Sequence, residues 1–221
     1  MIPSSREGSG TPPPPKSPVP VHPHLSRSPS SDRYMPQMIP EPADAPPSLL
    51  TPPMMKQLLS KGLPLMHTFH KWNRLFSLVR DGSSFVSFLH RVRKDKKTLA
   101  VVETTRGEKF GFYANDTWKN RPGAAAFYGN GESFLFRWEE GAVRVWKWSG
   151  QDNYFQLCDE GGGRIIMGGG GGFGVCLEDD FTRGSSAPCG TFGVDEPMCG
   201  RAEGGVFDIL NFEVFGFVGE L

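Results

Sequence analysis

The 221-residue chain has no excess of charge of either sign: 24 basic and 24 acidic residues leave a formal net charge of zero. That removes any global field favouring nucleic acid or an anionic membrane. It has no apolar run near the ~18 residues that a membrane-spanning helix needs. The opening MIPSSREGSG lacks the basic-then-apolar pattern of a secretory signal. Cys158, Cys176, Cys189 and Cys199 show no CxxC spacing, so reduced thiols are expected rather than a disulfide frame. Histidine is scarce as well. His67 and His70 sit on one helical turn, but only His90 could join them, and a zinc site usually needs three or four ligands.

Aromatic residues are missing from one end of the chain. Neither Phe nor Trp occurs before Phe69, whereas 16 of the 20 Pro fall within the first 53 residues. Such a segment cannot bury enough apolar area to offset its ordering entropy. Residues 1–47 are therefore expected to be a disordered or polyproline arm, with the folded domain over 48–221. The proline clusters at 12–15 and 18–20 offer ligands for SH3- or WW-type readers. Thr11, Ser17, Ser28 and Thr51 precede Pro and are candidates for phosphorylation.

What is present after the arm starts with a helix. Thr51 suits an N-cap, Pro52 the first helical position, Leu50 and Met55 a hydrophobic staple, and Gly62 the terminator. Asn73–Arg80 reads as a strand. Ser83 or Ser84 then caps a second helix, on which Phe85, Phe88, Leu89 and Val92 recur at helical spacing. Its other face carries His90, Arg91, Arg93 and Lys94, read first as a solvated end suited to the helix dipole and second as a site for an acidic partner.

From Thr98 the hydrophobic period falls to two. Strands are expected at Thr98–Glu103, Lys109–Ala114, Ser133–Trp138, Val143–Trp148, Tyr154–Cys158, Arg164–Met167, Phe173–Leu177 and Val206–Val218. Short Gly-, Asn- and Asp-bearing turns favour antiparallel hairpins over crossovers. Phe134, Phe136 and Trp138 share one face, and sandwich core is the simplest place for it. The fold class expected is α+β, an antiparallel β-sandwich flanked by a few short helices.

Several stretches in order resemble the TLDc domain family: LLTPPMMKQLLSKGLPL (49–65), RLFSLVRDGSSFVSFL (74–89), FYGNGESFLF (127–136), VWKWSGQDNYFQLCD (145–159), GGGGGFGVCLEDDF (168–181), GSSAPCGTFG (184–193) and FEVFGF (212–217). The motif residues carried by the resemblance are Asp81, Gly82, Gly129, Gly131, Glu132, Gly171, Gly172 and Gly174. This chain departs from the family pattern at Phe215, where Trp is usual, and at Gly190, where Glu is frequent. Its loop 195–205 is longer and Gly-rich. The resemblance implies a non-enzymatic interaction module associated with resistance to oxidative stress. It also implies binding and regulation of the vacuolar-type proton ATPase through its peripheral sector. The implied location is cytoplasmic, or peripheral to vacuolar or lysosomal membranes through that partner, with the nucleus as a further compartment. No cofactor is implied.

Three sets of residues invite chemistry. Glu132, at a tight turn entering an aromatic strand, reads first as a structural acceptor for backbone N–H groups and second as a catalytic acid or base. Cys189 and Cys199 fall in predicted loops and are the better redox candidates, because a reactive thiol needs access and a nearby cation. An enzyme or peroxide scavenger built on them is the alternative function. Gly169, Gly171 and Gly174 formally match GxGxxG, but a strand is expected after them where a dinucleotide site needs a helix.

Overall fold

The backbone N–H and C=O groups of short, extended, turn-linked segments can hydrogen-bond only sideways, and in the computed structural model these segments close into one mostly antiparallel system. Residues 35–119, 127–200 and 202–219 are described. Of the arm expected over 1–47, residues 1–34 lie outside them.

The first described element is a two-residue strand, β1 (Gln37–Met38), pairing parallel with Lys71 and Trp72. It lies within the stretch that composition had grouped with the arm. Helix α1 (Pro52–Lys61) follows, with Pro at its first positions and Gly62 N–H donating to Leu58 O. Thr51 stands at the N-cap, but its side chain makes no capping bond. A 3-10 turn (Leu65–Phe69) leads into β2 (His70–Ser77). The strand expected over 73–80 thus starts earlier and stops at Ser77. Leu78–Asp81 turns into a short helix, α2, because the Asp81 carboxylate accepts the Ser77 N–H at 2.9 Å and draws the chain off the strand path. Ser84 caps α3 (Phe85–Val92), accepting the Ser87 N–H.

The remaining strands are β3 (Thr98–Thr104), β4 (Lys109–Ala114), β5 (Phe134–Glu139), β6 (Ala142–Lys147), β7 (Gln156–Asp159), β8 (Arg164–Met167), β9 (Val175–Leu177), β10 (Arg183–Ser185) and β11 (Val206–Gly219). The strand order is β6-β5-β4-β3-β11-β10-β9-β8-β7, with β2 also on β11 and β1 on β2. The 14-residue β11 joins the two layers. Residues Val206–Asp208 pair with β10, the strand pairs with β3 from Ile209 to Gly216, and β2 lies on its other side from Glu213. The fold is the expected α+β antiparallel sandwich.

Two cores result. Phe110, Phe112, Leu135 and Trp146 of the first layer meet Ile165, Met167, Val175 and Leu177 of the second, with α3 closing one end of the same cluster. On the outer face of the first layer, Leu99, Val101, Tyr113, Phe134, Phe136 and Phe215 pack against Met54, Met55 and Leu58 of α1. The aromatic face of β5 therefore does not enter the sandwich. Leu135 points inward between the sheets while Phe134 and Phe136 face the helix. The period of two was right, and the side was set by α1, whose apolar stripe also needs a wall.

Candidate functional site

The turn that carries Glu132 is built by amides. Asn115, just after β4, accepts the Asn130 N–H at 3.0 Å and the Ser133 hydroxyl at 3.1 Å through its Oδ1. Asn130 Oδ1 in turn accepts the Glu132 N–H at 2.8 Å. Gln156 bridges Asp116, accepting its N–H and donating to its carbonyl, and pairs backbone to backbone with Tyr128. Gly129 has φ +94°, and a Cβ on Gly131 would meet the Trp148 ring at 2.5 Å, so both glycines are required by this corner.

Glu132 stands outside that network. Its side chain is half exposed, and its carboxylate accepts from Lys97 Nζ at 3.2 Å. The expected backbone-holding role belongs to Asn115 and Asn130 instead. The signal was available, since Asn beside Gly at a turn is a common backbone mimic. Replacing Asn115 with Ala is expected to cost about 1–3 kcal/mol, whereas Glu132→Gln removes a surface pair worth about 0–1 kcal/mol. Urea unfolding of the two variants checks this order.

The second glycine motif abuts the strand–turn around Thr191. Gly169 N–H donates to Thr191 Oγ1 at 3.0 Å, that hydroxyl reaches Asp152 Oδ1 at 2.5 Å, and Gly190 N–H donates to Gly170 O. Asp152 is the acid at this corner, beside Gly190. Gly171 (φ +118°) and Gly172 belong to the loop lining a small cleft of about 330 Å³ with Phe127, Tyr154 and Phe173. Gly174 packs under Leu135 and leads into β9, a strand, where a dinucleotide motif would need a helix.

Asp81 and Gly82, the third motif, form a clamp. Gly82, with φ +81°, ends α2. Asp81 pairs with Arg80 at 2.8 Å and Arg91 at 3.1 Å. Burial alone would raise its carboxyl, but the bonds from Arg80 and Ser77 N–H and both cations hold it below the usual carboxylate range.

The loop cysteines are not accessible. Cys189 and Cys199 are 2% and 1% exposed. Burial raises both thiols, as it does Cys176, and it pushes Cys158 up to about 12. Loop position misled the reading because Cys189 pairs back to Val194 and is folded into the main core. Reactive thiols need the opposite environment.

The two histidines face each other rather than a shared ligand space. His67 Nδ1 lies 3.2 Å from His70 Nδ1, and His67 Nε2 lies 2.9 Å from the Tyr113 hydroxyl. Desolvation, then the charges of His70 and Lys97, lower His67 to about 3. Its folded value is depressed below 6.5, so its stability contribution is complete above pH 6.5 and is lost as pH falls towards 3. His67→Gln is expected to flatten that part of the stability–pH curve, measured as urea midpoints across this window.

Among the described residues no group of three His, Cys, Asp or Glu is arranged to hold a metal ion. No helix among the described residues is long and apolar enough to cross a membrane.

The three motif corners now stand in one fold, and a family model for the TLDc domain matches residues 44–218, a span that holds all three. The chain belongs to the TLDc family. It is 34% identical over 140 residues to oxidation resistance protein 1 of Cryptococcus neoformans, covering 60% of this chain and 29% of that protein. It is 31% identical over 174 residues to human nuclear receptor coactivator 7, covering 78% of this chain and 17% of that protein. With oxidation resistance protein 1 of Yarrowia lipolytica it shares 30% identity over 156 residues, 66% of this chain and 64% of the relative. The chain thus spans less than a third of the Cryptococcus relative. What it shares with these larger proteins is the TLDc domain.

Proposed function

We propose that this TLDc protein is a non-enzymatic interaction module in protection against oxidative stress. It acts by binding and regulating the vacuolar-type proton ATPase through the peripheral sector. The observation that carries this reading is the match to the TLDc family over 44–218, together with relatives named oxidation resistance proteins. The side chains offered for direct chemistry give it little support as an enzyme. Glu132 is half exposed and paired with a lysine, and the four thiols are buried with raised values. Its place would then be the cytoplasm, held at vacuolar or lysosomal membranes by the partner.

The test incubates the full chain with assembled vacuolar-type ATPase and follows binding, ATP hydrolysis and release of the soluble sector together. Binding with altered activity or assembly is expected. No binding at near-physiological salt would overturn the partner. In parallel, the native cysteines are expected to react with a thiol reagent far more slowly than in denaturant. Cys189→Ser with Cys199→Ser should leave protection against peroxide unchanged; loss of protection with an unchanged melting temperature would favour the scavenger instead.

A further inference from the structure

The outer edge of β2 is only partly covered. β1 pairs with Lys71 and Trp72 and goes no further, so from Asn73 onward no strand among the described residues lies on that side. An edge of this kind invites strand addition, but its carbonyls are already engaged: Arg80 Nη2 donates to Arg74 O at 3.3 Å and to Leu75 O at 3.2 Å. Between this capped edge and α3 lies an open groove of about 800 Å³, lined by Leu75, Arg80, Val86, Arg91 and Lys94 among others.

The groove combines fixed cations with an apolar step. Asp81, itself nearly buried, holds Arg80 and Arg91 side by side. Arg91 remains 46% exposed, and among the described residues its one ion pair, to Asp81, leaves most of its five N–H donors available. Lys94 is exposed and has no partner among the described residues. The facing carboxylates, Asp81 and Glu41, are both spent on arginines, Glu41 on Arg74 and Arg80. Val86, which also lines the groove, is 77% exposed. The whole chain is neutral, so this concentration of donors is local.

We propose that the groove between α3 and the β2 edge binds an acidic peptide segment of a partner protein, carboxylates on Arg91 and Lys94 and an apolar side chain on Val86. The concave shape disfavours a membrane surface, which is flat and cannot reach cations set in a groove. No Phe, Tyr or Trp lines it to stack on bases, which disfavours single-stranded nucleic acid. The engaged carbonyls favour side-chain recognition over an added strand. The proposal stands independently of the ATPase reading.

The probe is a labelled peptide with Asp/Glu blocks flanking a Leu, titrated with the full chain by fluorescence anisotropy at low and physiological ionic strength. Binding that weakens with salt is expected. Lys94→Glu should weaken it by on the order of tenfold or more. Arg91→Gln should act in the same direction, and Val86→Ser should weaken it only for the Leu-bearing peptide. Lys147→Glu, on the distant β6 edge, should leave binding unchanged, and thermal melts check that each variant is folded. Equal binding of an Asn/Gln version of the peptide, equal loss in Lys147→Glu, no binding at all, or preference for anionic vesicles would each overturn the proposal.

Discussion

Replacing Arg74 with Met is expected to destabilise the domain by about 3–5 kcal/mol, the usual cost of leaving a buried charge without its partner. Arg74 and Glu213 are both fully buried, and Arg74 Nη1 donates to Glu213 Oε1 at 2.6 Å. The pair also ties the chain together. Glu213 Oε2 accepts the Leu49 N–H at 2.9 Å and the Ser48 hydroxyl at 3.1 Å, while Arg74 Nη2 donates to Pro46 O at 2.8 Å. The segment leading into α1 is therefore fastened to β2 and β11 through this one carboxylate and one guanidinium. A double variant, Arg74→Met with Glu213→Leu, removes both charges and leaves the Leu49 amide without its acceptor, a loss of about 1–3 kcal/mol. It should be less destabilised than the sum of the single variants. Urea midpoints with an unchanged slope measure both quantities. Additive losses, or a single-variant loss below about 1 kcal/mol, would show that the pair is not a coupled structural unit.

How much of this was legible beforehand follows from the range of each interaction. Local rules worked where the residues that decide an element lie within it. The strands Lys109–Ala114 and Arg164–Met167 match their expected bounds, and Phe85–Val92 is the expected helix with Ser84 at its cap. Most of the misses have a distant cause, α2 being the local exception. β1 and β10 are too short to carry a period, and β10 is defined only by its neighbours β9 and β11. α2 forms where Asp81 takes a backbone N–H four residues back, against a run that reads as strand. The face of β5 was decided by α1, some 70 residues earlier in sequence. At the candidate site, the ordered glycines and Asp81 were visible as motifs. Asn130, between two glycines, was a readable turn signal, but Asn115 fixes the Glu132 turn from 15 and 18 residues away and was not. Arg74 and Glu213, separated by 139 residues, looked like ordinary charged positions on strands.

Phe181→Ala is expected to cost about 3–5 kcal/mol, as for a large ring removed from a packed core. Phe181 lies in the turn between β9 and β10, where no hydrophobic period marks it, yet it is fully buried. Its ring stacks on Phe85 with centroids 5.7 Å apart. It meets Phe88 edge-on at 4.9 Å and Phe212 at 5.1 Å, so it joins the turn to α3 and β11. It does so with a φ of +52°, a conformation that a bulky side chain adopts at a cost of order 1–3 kcal/mol. The aromatic contacts therefore outweigh local strain, and two variants separate the terms. Phe181→Gly loses the same ring but gains a residue suited to that φ, so it should be no less stable than Phe181→Ala, reversing the usual penalty for glycine. Hydrogen exchange should then show faster opening of α3 than of α1, because α1 packs on the other face of the first layer through a separate cluster. Equal acceleration of both helices would mean that the two cores unfold as one unit. Loss confined to α3 would place its basic groove on a separately yielding part of the fold.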